Sequence, residues 1–305
     1  MSFLSYKILI IGGTGFIGSS LCFKALEKGY KVTSISFNNP KKIIKEVEYI
    51  KADISKFSEL KKKLKKNKFD YIINCGGYID HSPFHNGGSR VILTHLGGLK
   101  NILNILDKKN IKRFIQIGSS DEYGNIKAPQ KEIDNCIPVS PYSHAKLSAT
   151  KMIQMLGTDN TIDACSIRLF LVYGPNQKKD RLLPYVINGL LNNGKLKLSP
   201  GKQLRDFTYI DDIVDGIFLC LESKKKLNGE IFNLCSSEPI SIEDIIKKIA
   251  KIIGVDSPKL GDLKYRDKEN MELWGTNDKI KDMLRWSPKI KIVDGLKKTI
   301  KSFQS

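Results

Sequence analysis

The sequence predicts an α/β fold, a doubly wound parallel sheet with a smaller C-terminal lobe. Three observations carry that expectation. Short, almost wholly apolar runs alternate with helical patterns over the first 170 residues, as in a sheet covered on both faces. The first of these runs meets a glycine cluster at the head of a helix. After about Phe170 the alternation loosens, and Pro175, Pro184 and Pro200 punctuate shorter elements.

Taken in order, strands are expected at Lys7–Ile11, Lys31–Ser36, Tyr49–Lys51, Tyr71–Cys75, Arg113–Gly118 and Asp163–Phe170. Between them, apolar residues recur at helical spacing in Phe16–Lys28, Ser58–Lys66, Arg90–Lys109 and Pro141–Leu156. Later come shorter elements at Leu182–Asn193, Phe207–Tyr209, Asp212–Leu221, Glu230–Leu234 and Ile242–Ile253. Two amphipathic stretches, Asn277–Leu284 and Ile292–Phe303, close the chain. Residues 1–170 are therefore read as one domain, and residues 171–305 mainly as a second lobe with some segments returning to the first. Substrate is expected in the cleft between them.

The composition excludes several classes. Hydrophobic residues make up 41% and charged residues 27% of the chain, as in ordinary globular proteins. No apolar run approaches the ~18 residues of a membrane span, and the N-terminal run ends at Gly12, too early for a secretory signal. A cytoplasmic chain with no membrane partner is expected. The six cysteines are scattered without CxxC pairs or neighbouring histidines, so reduced thiols and no metal are expected. A net charge of +19 raises the question of nucleic acid. Only seven of the 51 basic residues are arginine, however, and the densest run, Lys61–Lys68, has no interleaved aromatics. That run reads as the wet face of a helix. Specific nucleic-acid binding is not expected; steering of small anions is.

Lys7–Gly18 reads KILIIGGTGFIG, a strand, a tight turn and a helix. Gly12, Gly15 and Gly18 are spaced three apart, which removes Cβ atoms where a phosphate would approach the helix N-terminus. A pyrophosphate held there would anchor a dinucleotide in a Rossmann-like domain.

Four features suggest chemistry. In SPYSHAK, Tyr142 and Lys146 stand at i and i+4 on one helix face, where the ammonium favours the phenolate. Ser119 and Ser120 end an apolar strand, where a hydroxyl can meet a substrate oxygen beside the tyrosine. Asp121 and Glu122 follow at once as adjacent carboxylates, which could equally cap the next turn. Arg181, Arg205 and Arg266 are scarce bidentate donors in the lobe expected to face the cleft, suited to phosphate or base oxygens.

These residues together resemble the extended short-chain dehydrogenase/reductases, the NAD(P)-dependent epimerase/dehydratase group acting on nucleotide sugars. GGTGFIG is similar to its cofactor fingerprint and KADIS, with Asp53, to its adenine contact. GSSDEYG and SPYSHAK resemble its catalytic serine and tyrosine–lysine segments. RLFLVYGPNQ, with Arg168, Tyr173 and Gly174, resembles the strand and turn beside the nicotinamide. QLRDFTYIDDIVDGI resembles the nucleotide-binding segment, and LRWSPKIKIVDGLKKTI the closing helices.

The resemblance implies a cofactor held by Gly12, Thr14, Gly15, Phe16, Ile17 and Gly18, by Ser36 and Asn38 after the second strand, and by Asp53 and Ile54. It adds Cys75, Gly76 and Gly77 after the fourth strand, with Tyr142 and Lys146. It implies Tyr142 as acid/base, Lys146 on the nicotinamide ribose and Ser120 orienting the sugar oxygen. It also implies a homodimer through the helices containing Leu96–Leu106 and Tyr142.

Departures from the family pattern bear on the reaction. Many NAD-binding relatives end the second strand with an acid; here the strand ends at Ser36, with Lys41 and Lys42 beyond it. That arrangement favours NADP(H), with NAD(H) possible. Ser120-Asp121-Glu122 resembles the Thr-Asp-Glu of 4,6-dehydratases, where the carboxylates eliminate water, yet one residue is missing before Tyr123-Gly124. His95 stands where the family often has asparagine. The expected activity is NAD(P)H-dependent reduction of a nucleotide-linked 4-keto-6-deoxy sugar for surface-polysaccharide precursors. A 4,6-dehydratase or 4-epimerase with retained NAD(P) is the alternative.

Overall fold

The computed structural model describes residues 6–64, 67–265 and 269–304. Its elements run β1 (Lys7–Ile11), α1 (Phe16–Glu27), β2 (Lys31–Ser36), β3 (Glu48–Lys51), α2 (Phe57–Leu64), β4 (Tyr71–Asn74), α3 (Ser89–Ile92), α4 (Gly98–Ile105) and β5 (Arg113–Ile117). They continue with α5 (Pro141–Thr158), β6 (Ala164–Leu169), β7 (Leu171–Tyr173), α6 (Leu182–Leu191), β8 (Leu204–Tyr209), α7 (Ile210–Glu222) and β9 (Glu230–Leu234). Last come β10 (Pro239–Ser241), α8 (Ile242–Ile253), β11 (Glu272–Leu273), α9 (Asp278–Leu284) and α10 (Ile292–Gln304).

Two compact units share these elements, and neither is continuous in sequence. The first takes the described residues up to Asn125, Asp134–Arg168 and Val214–Phe232; the second takes Ile126–Ile133, Leu169–Ile213 and the described residues from Asn233 onward.

The first unit is built on a seven-stranded Rossmann-like sheet of order β3-β2-β1-β4-β5-β6-β9. Every pairing from β3 to β6 is parallel. The chain runs outward from β1 to β3 and then returns to place β4 on the other side of β1. That reversal opens a crevice beyond the carboxyl ends of β1 and β4, where such sheets bind ligands. Leu9, Ile11, Ile35, Ile72 and Phe114 of the strands pack with Leu60, Leu99, Ile102, Ala149 and Ile153 of the helices in one buried cluster. On α2, Leu60 and Leu64 face inward while Lys61–Lys63 stay exposed, so the described part of the lysine run is a wet helix face. Lys65 and Lys66, expected to extend that helix, lie outside the described residues.

The expected helix Arg90–Lys109 is interrupted. After α3 the chain makes a π-helical turn, Leu93–Gly97, that carries the buried His95. Helix α4 then ends at Leu106, whose backbone is extended. Periodicity alone could not show the wider turn, because the apolar spacing continues through it.

Buried polar groups tie distant segments together. Arg113 donates to the carbonyls of Cys220 and Lys225 at 2.6 and 2.8 Å and to Asp163 at 2.5 Å, fixing the end of α7 and the following loop to the first sheet. In the second unit β8 pairs with β7 and β11 in parallel and with β10 antiparallel. Those partners are two or three residues long and left no periodic signal in the sequence. The buried Asp206 of β8 accepts from Ser236 N, Ser236 Oγ and Ser237 N at 2.7–2.8 Å. Asp212 accepts from Lys289 N at 3.0 Å and Ile290 N at 2.9 Å, which secures the segment before α10.

Among the described residues, no helix is long and apolar enough to cross a membrane, and no cluster of histidine, cysteine or acidic side chains is arranged to hold a metal ion. All six cysteines are free.

Candidate active site

The glycine turn is shaped by close backbone approach. Gly12 has φ +83°, and a Cβ there would stand 2.8 Å from the Cys75 carbonyl oxygen, so the ends of β1 and β4 meet backbone to backbone. A Cβ on Gly18 would run into the Gly12 carbonyl. Gly15 differs: its Cβ would meet only the Gly12 oxygen, at 3.2 Å, and the residue is exposed. Gly15 also begins α1, which has no side-chain cap and no acid in its first turn. The amides of the first turn, among them Phe16, Ile17 and Gly18, therefore present a partial positive charge at an open surface. These features fit a dinucleotide pyrophosphate, with Thr14 on the same turn.

The rim around the turn follows. Ser36 ends β2, and its hydroxyl accepts from Thr14 N at 3.2 Å, so it braces the glycine turn as well as marking the strand end. Asn38, Lys41 and Lys42 are exposed just beyond. After β3, Asp53 accepts from Ser55 N at 3.0 Å and Ser55 Oγ at 2.6 Å, closing a tight turn, while Ile54 is buried. At the end of β4 the Cys75 thiol donates to the Ile11 carbonyl at 2.9 Å. Burial pushes that thiol up to about 12, opposed by the charge of Lys146. Cys75 is thus a bracing thiol and not a thiolate. Gly76 and Gly77 follow, and a side chain at Gly77 would collide with the His95 ring.

Helix α5 delivers the expected tyrosine–lysine pair. Ser140 and Ser143 form a reciprocal cap and Pro141 opens the helix, which fixes where its first turn begins. Tyr142 and Lys146 are both buried, with the Lys146 Nζ 5.9 Å from the centre of the phenol ring. Lys146 Nζ donates to the Ile117 carbonyl at the end of β5, at 2.9 Å. Burial lowers the Lys146 pKa, and Glu122, Cys75 and Asp121 oppose that shift. A lysine held there as a cation stabilises negative charge on the neighbouring phenol.

The segment after β5 departs from expectation. Ser119 was read as a substrate contact, yet its hydroxyl accepts from Asp121 N at 3.2 Å and caps the short 3-10 turn Ser120–Glu122. Ser120, buried, is the first residue of that turn. Glu122 was read as a catalytic carboxylate and is instead fully buried. It accepts from Arg168 Nε at 2.8 Å, Ser119 N at 2.9 Å and Thr150 Oγ1 at 3.1 Å. The Arg168 guanidinium lies 4.4 Å from the centre of the Tyr123 ring. Glu122 thus turns into the fold. Asp121 remains partly exposed, with Oδ2 3.9 Å from His81 Nε2.

Two histidines flank the tyrosine, and the sequence reading gave neither a role. The ring centres of His81 and His95 lie 5.4 and 5.3 Å from that of Tyr142, both close to perpendicular. His95 donates from Nε2 to the Tyr78 carbonyl at 2.9 Å. Burial, reinforced by Lys146, lowers its pKa to about 3. The one signal for it was a histidine at a position where the family often has asparagine.

Of the three arginines expected to grip substrate, Arg205 is buried, donates to the Leu204 carbonyl at 2.7 Å and pairs with Glu269. It is already engaged within the second unit. Arg181 precedes α6 and is exposed. Arg266 lies outside the described residues.

Residues 8–235 match the model of the NAD dependent epimerase/dehydratase family, and the chain belongs to that family. It is similar to a UDP-glucuronic acid 4-epimerase from Bacillus cereus, solved with UDP-glucuronic acid and NAD: TM-score 0.86, 29% identity, covering 98% of this chain and 99% of that one. A UDP-glucose 4-epimerase from Thermotoga maritima shares the fold with TM-score 0.90 at 23% identity, covering 98% of each chain. A dTDP-D-glucose 4,6-dehydratase from Dictyostelium discoideum is 29% identical over 81% of this chain and 62% of its own length.

The buried carboxylate gives the first prediction. Glu122→Ala strands the Arg168 charge and should destabilise the protein by about 3–5 kcal/mol. Asp121→Asn should change stability by less than about 0.5 kcal/mol. Denaturant midpoints measure both. The second concerns acid stability. His95 is neutral when folded and takes a proton near pH ~6.5 when unfolded, so its stabilisation is complete above that pH and is lost as pH falls. At pH 5 the loss is about 2 kcal/mol. Replacing His95 by asparagine should flatten the unfolding free energy between pH 7 and 5 by about that amount.

Proposed function

We propose that the chain acts on C4 of a nucleotide-linked sugar, and that its net reaction is reduction of a 4-keto-6-deoxy sugar with NADPH. The observation that carries this reading is the burial of Glu122 against Arg168. Elimination of water needs a carboxylate able to face the sugar, and this one is enclosed by three donors. Tyr142 then remains the proton donor at the strand ends, Lys146 stabilises the phenolate it leaves, and Ser120 orients the C4 oxygen. When bound, the nicotinamide supplies the hydride to that carbon. The exposed Gly15 turn receives the pyrophosphate, and the end of β2, with Ser36 in place of an acid and Lys41 and Lys42 beyond, suits a 2′-phosphate. The epimerases and the dehydratase that the chain is similar to support a nucleotide sugar as the substrate class. A second reading, 4-epimerisation with retained cofactor, is favoured by the similarity to the Bacillus cereus enzyme and its bound NAD.

Purified protein with NADPH and a panel of 4-keto-6-deoxy nucleotide sugars should consume one NADPH per ketone. With 4-hydroxy nucleotide sugars in place of the ketones, a product lighter by one water, or one inverted at C4, formed without net cofactor use, would overturn the reductase reading. Tyr142→Phe should lower turnover by about 10²–10⁴-fold while cofactor affinity is kept; turnover within a few-fold of wild type removes Tyr142 from the mechanism. NADPH should bind more tightly than NADH. Ser36→Asp should reverse that order through repulsion of the 2′-phosphate. Titration calorimetry of the two cofactors checks both statements.

A further inference from the structure

We propose that His81 is a positioning residue for Tyr142, one whose ring, packed perpendicular to the phenol where the start of α5 meets the turn after β5, holds the phenol at a fixed angle. The proposal rests on the reading of Tyr142 as the proton donor. The His81 ring stands at 81° to the phenol, with ring centres 5.4 Å apart. Its Nδ1 lies 3.3 Å from the hydroxyl of Ser140, the residue that caps α5. Its Nε2 lies 3.9 Å from Asp121, in the turn that begins with Ser120. One imidazole therefore touches the start of the tyrosine helix, the turn of the serine and the tyrosine ring itself.

The other perpendicular neighbour of the phenol is His95, buried and fixed by its bond to the Tyr78 carbonyl. Tyr142 is thus packed by two imidazoles from two different segments, with the Lys146 ammonium also against its ring. Among the described residues, the charged and titratable groups that face His81 are Asp121 on the turn, Asp80 on its own loop and Tyr142 on α5. His81 lies in the loop after β4, and its side chain is 45% exposed. Perpendicular aromatic pairs have a preferred geometry that restricts ring rotation. For a proton donor, small losses of alignment reduce the rate strongly.

The test compares His81→Ala with His81→Phe, which restores the ring without its nitrogens. With a 4-keto nucleotide sugar and NADPH, the alanine variant should lose about tenfold in kcat, with the cofactor dissociation constant within twofold of wild type. The phenylalanine variant should recover most of that loss. Independently of turnover, ¹³C-tyrosine NMR, with the Tyr142 signals assigned through Tyr142→Phe, should show faster ring flipping in His81→Ala and slower flipping again in His81→Phe. An unchanged flip rate in His81→Ala overturns the proposal, as does a phenylalanine variant no faster in turnover than the alanine one. A wild-type protein that turns over no nucleotide sugar overturns the functional reading instead, and the flip rates still decide the role of His81.

Discussion

The ion pair between Arg168 and Glu122 is the constraint on which the rest of the site depends. Both side chains are almost wholly removed from water, so each charge is tolerable only because the other is there. A pair of this kind gains little over two apolar side chains; what it fixes here is register. Arg168 belongs to β6, Glu122 to the turn after β5, and the third partner, Thr150, to α5. The Tyr123 ring under the guanidinium fills the remaining side. Strand, turn and helix are therefore locked at one point, and Ser120, Tyr142 and Lys146 hang from the elements so locked. The Lys146 bond to the Ile117 carbonyl is a consequence: it requires α5 to lie at a set height over the end of β5.

A second lock works at the other end of the crevice through absence of side chains. Gly12 and Gly18 let β1, β4 and α1 approach within backbone contact, and the Ser36 hydroxyl holds the Thr14 amide. The Cys75 thiol adds a bond from β4 to β1. The strand ends and the helix start are thereby placed beside the open Gly15, and the first turn of α1 carries no acid. What is left exposed is backbone N–H at a helix N-terminus, which suits an anion.

Much of this was legible in the sequence because it rests on local pattern. The parallel sheet, the glycine turn and the pairing of Tyr142 with Lys146 on one helix face follow from periods and spacings confined to short windows. Glu230–Leu234 and Ile242–Ile253 were readable to the residue for the same reason. What was not legible depends on partners far away in the chain. Glu122 reads as a catalytic or turn-capping carboxylate until Arg168, 46 residues on, is folded over it. Arg205 reads as a ligand grip until Glu269 is placed beside it. The short strands β7, β10 and β11 exist because β8 offers them edges, and a run of two or three residues carries no period of its own. The two histidines around Tyr142 were hidden for a related reason: neither lies at helical spacing from it, and the loop after β4 and a π-helical turn bring them there.

The chemistry open to this site is then set by two subtractions. On the proposed NADPH reading, β2 ends in Ser36, whose hydroxyl is bonded to the glycine turn, so no carboxylate at that strand end repels a 2′-phosphate. Two unit charges a few ångströms apart interact by about 1–4 kcal/mol near a protein surface, enough to decide between two cofactors that differ by one phosphate. In the turn after β5, Glu122 is directed away from the surface and paired with Arg168. A group that could abstract a proton from carbon is converted into a strut, and its charge is cancelled before it can act. The same turn keeps Ser120 at the strand end and leaves Asp121 at the rim beside His81. Proton transfer at an oxygen needs a phenol, a nearby cation and a hydroxyl to hold the substrate, and those three survive both subtractions. Proton transfer at carbon needs a base, and the proposed reading takes the burial of Glu122 against Arg168 to withdraw it. On the proposed reading, that asymmetry, and not the presence of the tyrosine alone, is what favours reduction at a sugar carbonyl.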